Sequence, residues 1–148
     1  MNRQHIKIVQ IFNASADRVF DILTDHETFG QVINTDIKRV VDGQDGNKNG
    51  VGSIRRINLF LAPAFEETVI TFKPNLLMEY VISKGSPVKN HKGKMEFFNE
   101  HGKTRLDYTI YFEPRFFFPF AGMILKKVIE HPIRKGLEKL SQRFENRE

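Results

Sequence analysis

The sequence predicts an α+β domain: a curved antiparallel sheet of about six to seven strands, two short helices after the first strand, and a long C-terminal helix that the sheet grips. Three observations carry this prediction. Apolar and polar residues alternate through a series of short segments from Arg55 to Phe112. The period then changes to three and four between Phe120 and Phe144. No repeat, low-complexity tract or Pro/Ser-rich linker divides the 148 residues, so one domain spanning 1–148 is expected.

The opening stretch from His5 to Asn13 is rich in β-branched residues and reads as a strand. Ser15 is a natural N-cap, Asp17 suits a first helical turn, and Val19, Phe20, Ile22 and Leu23 recur at helical spacing before the polar break Thr24-Asp25-His26. A second helical turn is read from Glu27 to Val32 and a strand from Ile37 to Val41, ending at the Gly-rich loop Asp42 to Gly52. Ile57, Leu59 and Leu61 alternate with Arg56, Asn58 and Phe60, and the turn Ala62-Pro63 returns the chain as a partner strand from Phe65 to Phe72. Lys73-Pro74-Asn75 turns into Leu76, Met78, Tyr80 and Ile82, which Gly85-Ser86-Pro87 ends. Met95 and Phe97 before His101-Gly102, with Leu106, Tyr108, Ile110 and Phe112 after it, form the pattern of a hairpin. In the last quarter Phe120, Ile124 and Val128, then Ile133, Leu137, Leu140 and Phe144, mark one amphipathic helix. Pro132 predicts a kink or restart near His131, because proline lacks the amide hydrogen and clashes with the preceding turn.

Composition narrows the chemistry. The absence of Cys excludes disulfides, a thiolate nucleophile, iron–sulfur clusters and Cys-ligated zinc. The longest apolar stretch, Phe116 to Leu125, is half the roughly 20 residues of a membrane-spanning helix, and Met1 to Asn13 lacks the apolar run of a signal peptide, so a cytoplasmic location is expected. The net charge of +5 is uneven, with 9 Lys/Arg against 9 Asp/Glu in residues 1–74 and 14 against 9 in residues 75–148. Acidic residues interrupt the basic clusters, which suits a solvated face or mild steering of anions, and no nucleic-acid partner is expected.

Familiar motifs fail on spacing. Asp45 to Gly50 fits half a calcium loop, but Arg56 stands where a bidentate Glu is required. Gly50-Val51-Gly52 lacks the further glycine of a dinucleotide fingerprint, the five histidines show no HExxH pattern, and no Gly-x-Ser-x-Gly elbow is present. No metal and no cofactor is expected.

Several segments resemble the START-like, or SRPBCC, superfamily of helix-grip proteins, which includes birch-pollen-type allergens, lipid-transfer domains and polyketide cyclase/dehydrase-like proteins. Ser15 to Leu23 resembles the family's opening helix, and Gly50-Val51-Gly52-Ser53-Ile54-Arg55 its loop into the third strand. Glu66-Glu67-Thr68-Val69, then Pro74, Leu77 and Tyr80, and finally Gly102 to Tyr108 match further in order. The resemblance covers nearly the whole chain and implies a hydrophobic cavity between sheet and helix for a small or lipid-like ligand. It implies no catalytic set, because function in such folds lies in the site.

Strand pairing proposes which residues face that cavity. With a two-residue turn at Ala62-Pro63, Arg55, Ile57 and Leu59 share a face with Glu66, Thr68, Ile70 and Phe72, and a three-residue turn at 73–75 adds Met78, Tyr80 and Ile82. Pairing across His101-Gly102 sets Leu106, Tyr108, Ile110 and Phe112 beside Phe97, Met95, Gly93 and His91. The polar members, Arg55, Glu66, Thr68, Tyr80, His91 and Tyr108, would orient a ligand held by apolar walls. Equally, Arg55 and Glu66 suit a plain cross-strand ion pair, the tyrosines suit core positions, and His91 suits a strand end. Phe120, Ile124 and Val128 would supply the opposite wall. Three functions fit: binding or transport of a hydrophobic molecule, a cyclase, dehydratase or aromatase-like reaction through the polar residues, and docking of the Phe116–Phe120 segment and basic second half to a membrane or protein.

Overall fold

Alternating apolar residues become seven strands of one antiparallel sheet, and the change of period after residue 120 becomes the helix that this sheet holds. The structure is a computed structural model that describes residues 3–59, 63–115 and 120–146. In chain order the elements are β1 (Gln4–Phe12), α1 (Ala16–Thr24), α2 (His26–Val32), β2 (Asp36–Val41), β3 (Ile54–Asn58), β4 (Phe65–Lys73), β5 (Leu77–Lys84), β6 (Val88–Glu100), β7 (Lys103–Pro114) and α3 (Ala121–Glu145). The strands lie in the order β1-β7-β6-β5-β4-β3-β2, so the first strand joins the last and the two sheet ends are β1 and β2. This is the helix-grip fold.

The inner face of the sheet packs on α3 through Ile6, Ile8, Phe12, Leu106 and Phe112 from the strands and Ile133, Leu137, Leu140 and Phe144 from the helix, all buried. Ser141 Oγ donates to the Ile11 carbonyl at 2.7 Å, fastening the helix to β1. Gly136 lets α3 approach the end of α2, since a Cβ there would lie 2.3 Å from the Val32 carbonyl oxygen. The helix runs from Ala121 through Pro132 to Glu145 as one element, so the restart near His131 does not occur. Ser15 takes the N-cap position of α1 with extended backbone, but its hydroxyl bonds the Asp17 carboxylate rather than a backbone amide. Asp25 caps α2, accepting from the Thr28 amide at 3.1 Å.

Register is where structure and sequence reading part. The β3–β4 ladder pairs Arg55 with Glu67 and Ile57 with Phe65 and stops there, well short of a two-residue turn. Further along β4, Phe72 pairs with Met78 while Val69 pairs with Tyr80, which leaves Ile70 as an extra residue that reverses the facing of the strand. Phe65, Glu67 and Val69 therefore face inward, and the expected inward set Glu66, Thr68 and Ile70 turns out, with Ile70 43% exposed. In β6 the pairs Phe97–Leu106, Met95–Tyr108 and Gly93–Ile110 form as a tight hairpin requires, but His91 does not pair with Phe112, because a register shift separates Lys89 from Lys92. The turn residue Ala62, with Phe60 and Leu61 before it, and the segment from Phe116 to Pro119 lie outside the described residues. Among the described residues no helix is long and apolar enough to cross a membrane.

Candidate functional site

Between sheet and helix lies a cavity of about 120 Å³. One wall comes from Phe29 of α2, Ile33 just after it and Ile37 of β2, while Ile57, Phe65 and Ile110 of the neighbouring strands and Leu59 just beyond β3 supply another. Leu125, Ile129 and Ile133 close it from α3, while Val128, 55% exposed, sits at its edge together with Ser86 and Pro87 of the β5–β6 turn. This volume approaches that of an engineered apolar cavity of about 150 Å³ that holds a benzene molecule.

Polar groups gather on the sheet side. Arg55 is fully buried on β3, and its Nε donates to Glu67 Oε1 across the ladder at 2.8 Å. Its guanidinium carbon lies 4.4 Å from the ring centre of Tyr80 and 5.1 Å from that of Phe29, so the cation is held between two aromatic faces. Arg55 Nη1 is buried and, among the described residues, has no partner. The hydroxyls of Tyr80 and Tyr108 bond each other. One of their two protons is used in that bond, leaving the other for a further acceptor.

His91 completes the set. Its Nδ1 accepts from the Ile82 amide at 3.1 Å, and its Nε2 stands 3.9 Å from Glu67 Oε2. A ring whose Nδ1 accepts carries its single proton on Nε2, the atom facing Glu67. Burial, outweighing the attraction of Glu67, lowers the His91 pKa and keeps the ring neutral. Burial raises both tyrosines well above their ordinary value, so they act as hydroxyl donors rather than phenolate bases. For Arg55 burial works against the charge, yet the Glu67 carboxylate holds the pKa above its ordinary value.

Local sequence explains how this set is seated. Gly93 on β6 makes room for the Tyr80 ring, since a Cβ there would fall 2.2 Å from Tyr80 Cζ. Ser53, two residues before Arg55, is bonded by His26 Nε2 at 2.9 Å, which ties the start of α2 to β3 and sets Phe29 over the guanidinium.

Of the residues expected at a ligand site, Arg55, Ile57, Leu59, Tyr80, His91, Tyr108, Ile110 and Val128 line the cavity. Met78, Met95, Phe97 and Phe112 are buried in the core away from it. Glu66, Thr68 and Ile70 point outward for the register reason given above, and Phe120 and Ile124 are 72% and 50% exposed because α3 turns the neighbouring row Leu125–Ile129–Ile133 inward. Missing from that expectation are Glu67, Phe29, Ile33, Ile37, Leu125 and Ile129. Stepping back by fours from Ile133 reaches Ile129 and Leu125, a row that the sequence offers beside Phe120–Ile124–Val128. Among the described residues no group of three His, Asp or Glu side chains is placed to hold a metal ion.

A curved sheet closing an apolar cavity against a C-terminal helix, with a buried polar floor, defines a ligand-cavity domain of the helix-grip class. The chain belongs to the polyketide cyclase/dehydrase and lipid transport family, whose sequence model matches residues 3–145. Its fold is similar to that of the ZhuI aromatase/cyclase from Streptomyces sp. R1128, with a TM-score of 0.75, 18% identity and 95% of each chain covered. It is also similar to XoxI from Bacillus cereus, at a TM-score of 0.71 and 14% identity over 96% of each chain. Norcoclaurine synthase from Thalictrum flavum in complex with dopamine and hydroxybenzaldehyde aligns at a TM-score of 0.66 and 12% identity, over 99% of this chain and 89% of that one. No curated protein sequence matches the chain.

Proposed function

We propose that the protein binds a small, ring-sized hydrophobic molecule whose one oxygen-bearing end rests on the Arg55–Tyr80–Tyr108–His91 floor. The observation that carries this reading is a buried polar set left incomplete inside apolar walls: Arg55 Nη1 lacks a partner and the tyrosine pair has a proton to give. Buried donors without acceptors are costly, and a ligand carbonyl or phenol oxygen would satisfy them. The aromatic oxygen compounds held by norcoclaurine synthase support the same chemical class.

Native mass spectrometry of the freshly purified protein, with extraction of anything retained, tests the reading first. Titration with 4-propylphenol and propylbenzene tests it next. The phenol should bind about fivefold more tightly, and Tyr108→Phe should erase that margin, the effect expected of one lost hydrogen bond. Failure of both compounds to bind at millimolar concentration would sink the proposal.

A cyclase- or dehydratase-type activity is a second reading, favoured by one observation: a neutral His91 whose Nε2 faces the Glu67 carboxylate within the cavity wall. In such a pair the Glu67 carboxylate would take a proton from the carbon beside a carbonyl while His91 Nε2–H gives one to the carbonyl oxygen, with Arg55 opposing the oxyanion charge. Its check is turnover of poly-β-carbonyl substrates, lost in His91→Gln. Turnover that survives this substitution would remove His91 from the chemistry.

A further inference from the structure

Strands β5 and β6 are paired only from Leu77–Glu96 to Tyr80–Gly93. Beyond that point β5 continues to Lys84 and β6 begins at Val88, yet the ladder between them stops. The cause lies in β6, where Asn90 takes a left-handed backbone with φ of 51° inside the register shift between Lys89 and Lys92. A bulge of this kind re-aims the side chain beside it. Here it is the His91 imidazole that meets the Ile82 amide, where a neighbouring strand would otherwise supply a carbonyl.

His91, Ile82 and Val88 consequently line two spaces at once. One is the apolar cavity, and the other is a groove of about 280 Å³ whose remaining wall includes Lys84, Lys89 and Arg115. Arg115 braces this edge, its Nε and Nη2 donating to the Ser86 and Val88 carbonyls at 3.2 and 3.3 Å. Among the described residues none of these three cations is in an ion pair, and the nearby Glu113 carboxylate accepts from Asn90 Nδ2 at 3.0 Å.

We propose that the gap between β5 and β6 is a second opening of the cavity, through which a carboxylate on the bound molecule reaches the Lys84–Lys89–Arg115 groove. This rests on the ligand reading above and adds to it the class of cargo, an aromatic or aliphatic body carrying an anionic tail. The His91 imidazole, flanked by Ile82 and Val88, stands between the two spaces, and a side chain moves aside far more readily than a strand. The groove supplies cations at the far side of that gate, where a carboxylate leaving the apolar cavity keeps its hydration on one face and gains charge on the other.

Butylbenzene and 4-phenylbutanoate share a body and differ in the carboxylate, so calorimetric titration of both isolates the tail. On the intact chain the carboxylate should bind about tenfold more tightly at low salt, and Lys84→Glu/Lys89→Glu should abolish this preference while leaving butylbenzene within about twofold. Lys103→Glu, at the opposite end of the β6–β7 hairpin, is the control for charge acting at long range and should leave the preference standing. A carboxylate preference absent from the start, or one that survives the double reversal because Arg55 alone holds the anion, would overturn the second opening and leave the cavity reading intact. If neither compound binds, both fall together.

Discussion

The β1–β7 end of the sheet and the β3–β4–β5 end are made of similar strands but treat polarity in opposite ways. β1 and β7 pair over nine consecutive positions without a shift, and the residues they turn inward, Ile6, Ile8, Leu106, Tyr108, Ile110 and Phe112, are almost fully buried and almost wholly apolar. β4 and β5 pair with two shifts, and the inward residues of this end include Arg55, Glu67 and Tyr80. Regular alternation builds a core, whereas an inserted residue changes which side chain faces it. Charge enters this interior through the unshifted β3–β4 pairing of Arg55 with Glu67, on the strands that adjoin the shifted β4–β5 ladder.

The largest test of that contrast is the Arg55–Glu67 pair. Glu67→Leu leaves a buried guanidinium without its carboxylate and should cost about 3–5 kcal/mol in urea unfolding. Arg55→Met combined with Glu67→Leu removes both charges and should recover most of this loss, because a buried pair is often replaceable by apolar groups of similar volume. A double variant as unstable as the single one would mean that the ion pair, rather than the unpaired charge, holds this end together.

Acid should distinguish the two ends next. Burial, joined by the charges of Arg55 and Arg39, holds the His26 pKa at about 3 against an ordinary 6.5. Below pH 6.5 the unfolded chain takes up a proton that the folded chain refuses, so the stability present above this value drains as pH falls toward 3, at up to about 1.4 kcal/mol per pH unit. His91, lowered by burial, adds a loss of the same sign. Urea midpoints measured across this range should fall steeply for the intact chain and less steeply for His26→Gln. Equal slopes would place the acid sensitivity elsewhere.

Gly93→Ala is a smaller perturbation, and it bears on the Tyr80 seat. The added methyl meets the Tyr80 ring and should cost about 1–3 kcal/mol, as overpacking does. In a Tyr80→Leu background the same substitution should cost less than half as much, and a double-mutant cycle reads the difference. Additive losses would show that Gly93 serves the backbone and not the ring.

Much of this contrast was legible beforehand, and the part that was not has a physical cause. The hairpin from Gly93 to Ile110 reads correctly because one face is apolar and a His-Gly turn pins it. β3 and β4 defeat the same reasoning, since both carry doubled charges, Arg55-Arg56 and Glu66-Glu67. Either register then offers an inward Arg and an inward Glu, and periodicity has nothing to choose between. The extra residue at Ile70 is equally silent, because Val69, Ile70 and Phe72 give an apolar partner on both faces. In α3 the first turns are apolar on several sides, so Phe120–Ile124–Val128 and Leu125–Ile129–Ile133 compete as rows, and only tertiary packing selects the second.

That doubling also supplies the smallest and cleanest comparison. Arg56 and Glu66 are cross-strand partners one position from Arg55 and Glu67, and their side chains meet at 3.0 Å on the outer face, with Arg56 about half exposed. Geometry, strand order and charge are shared between the two pairs, so solvent is the main variable. Water and salt screen the outer pair, and Glu66→Leu should change stability by no more than about 1 kcal/mol, shrinking further in molar salt. Measured beside Glu67→Leu, the ratio of the two losses reports what burial does to one ion pair within one ladder. Near-equal losses would mean that the inner pair is hydrated in solution, and the incomplete polar floor from which a ligand was inferred would already be satisfied by water.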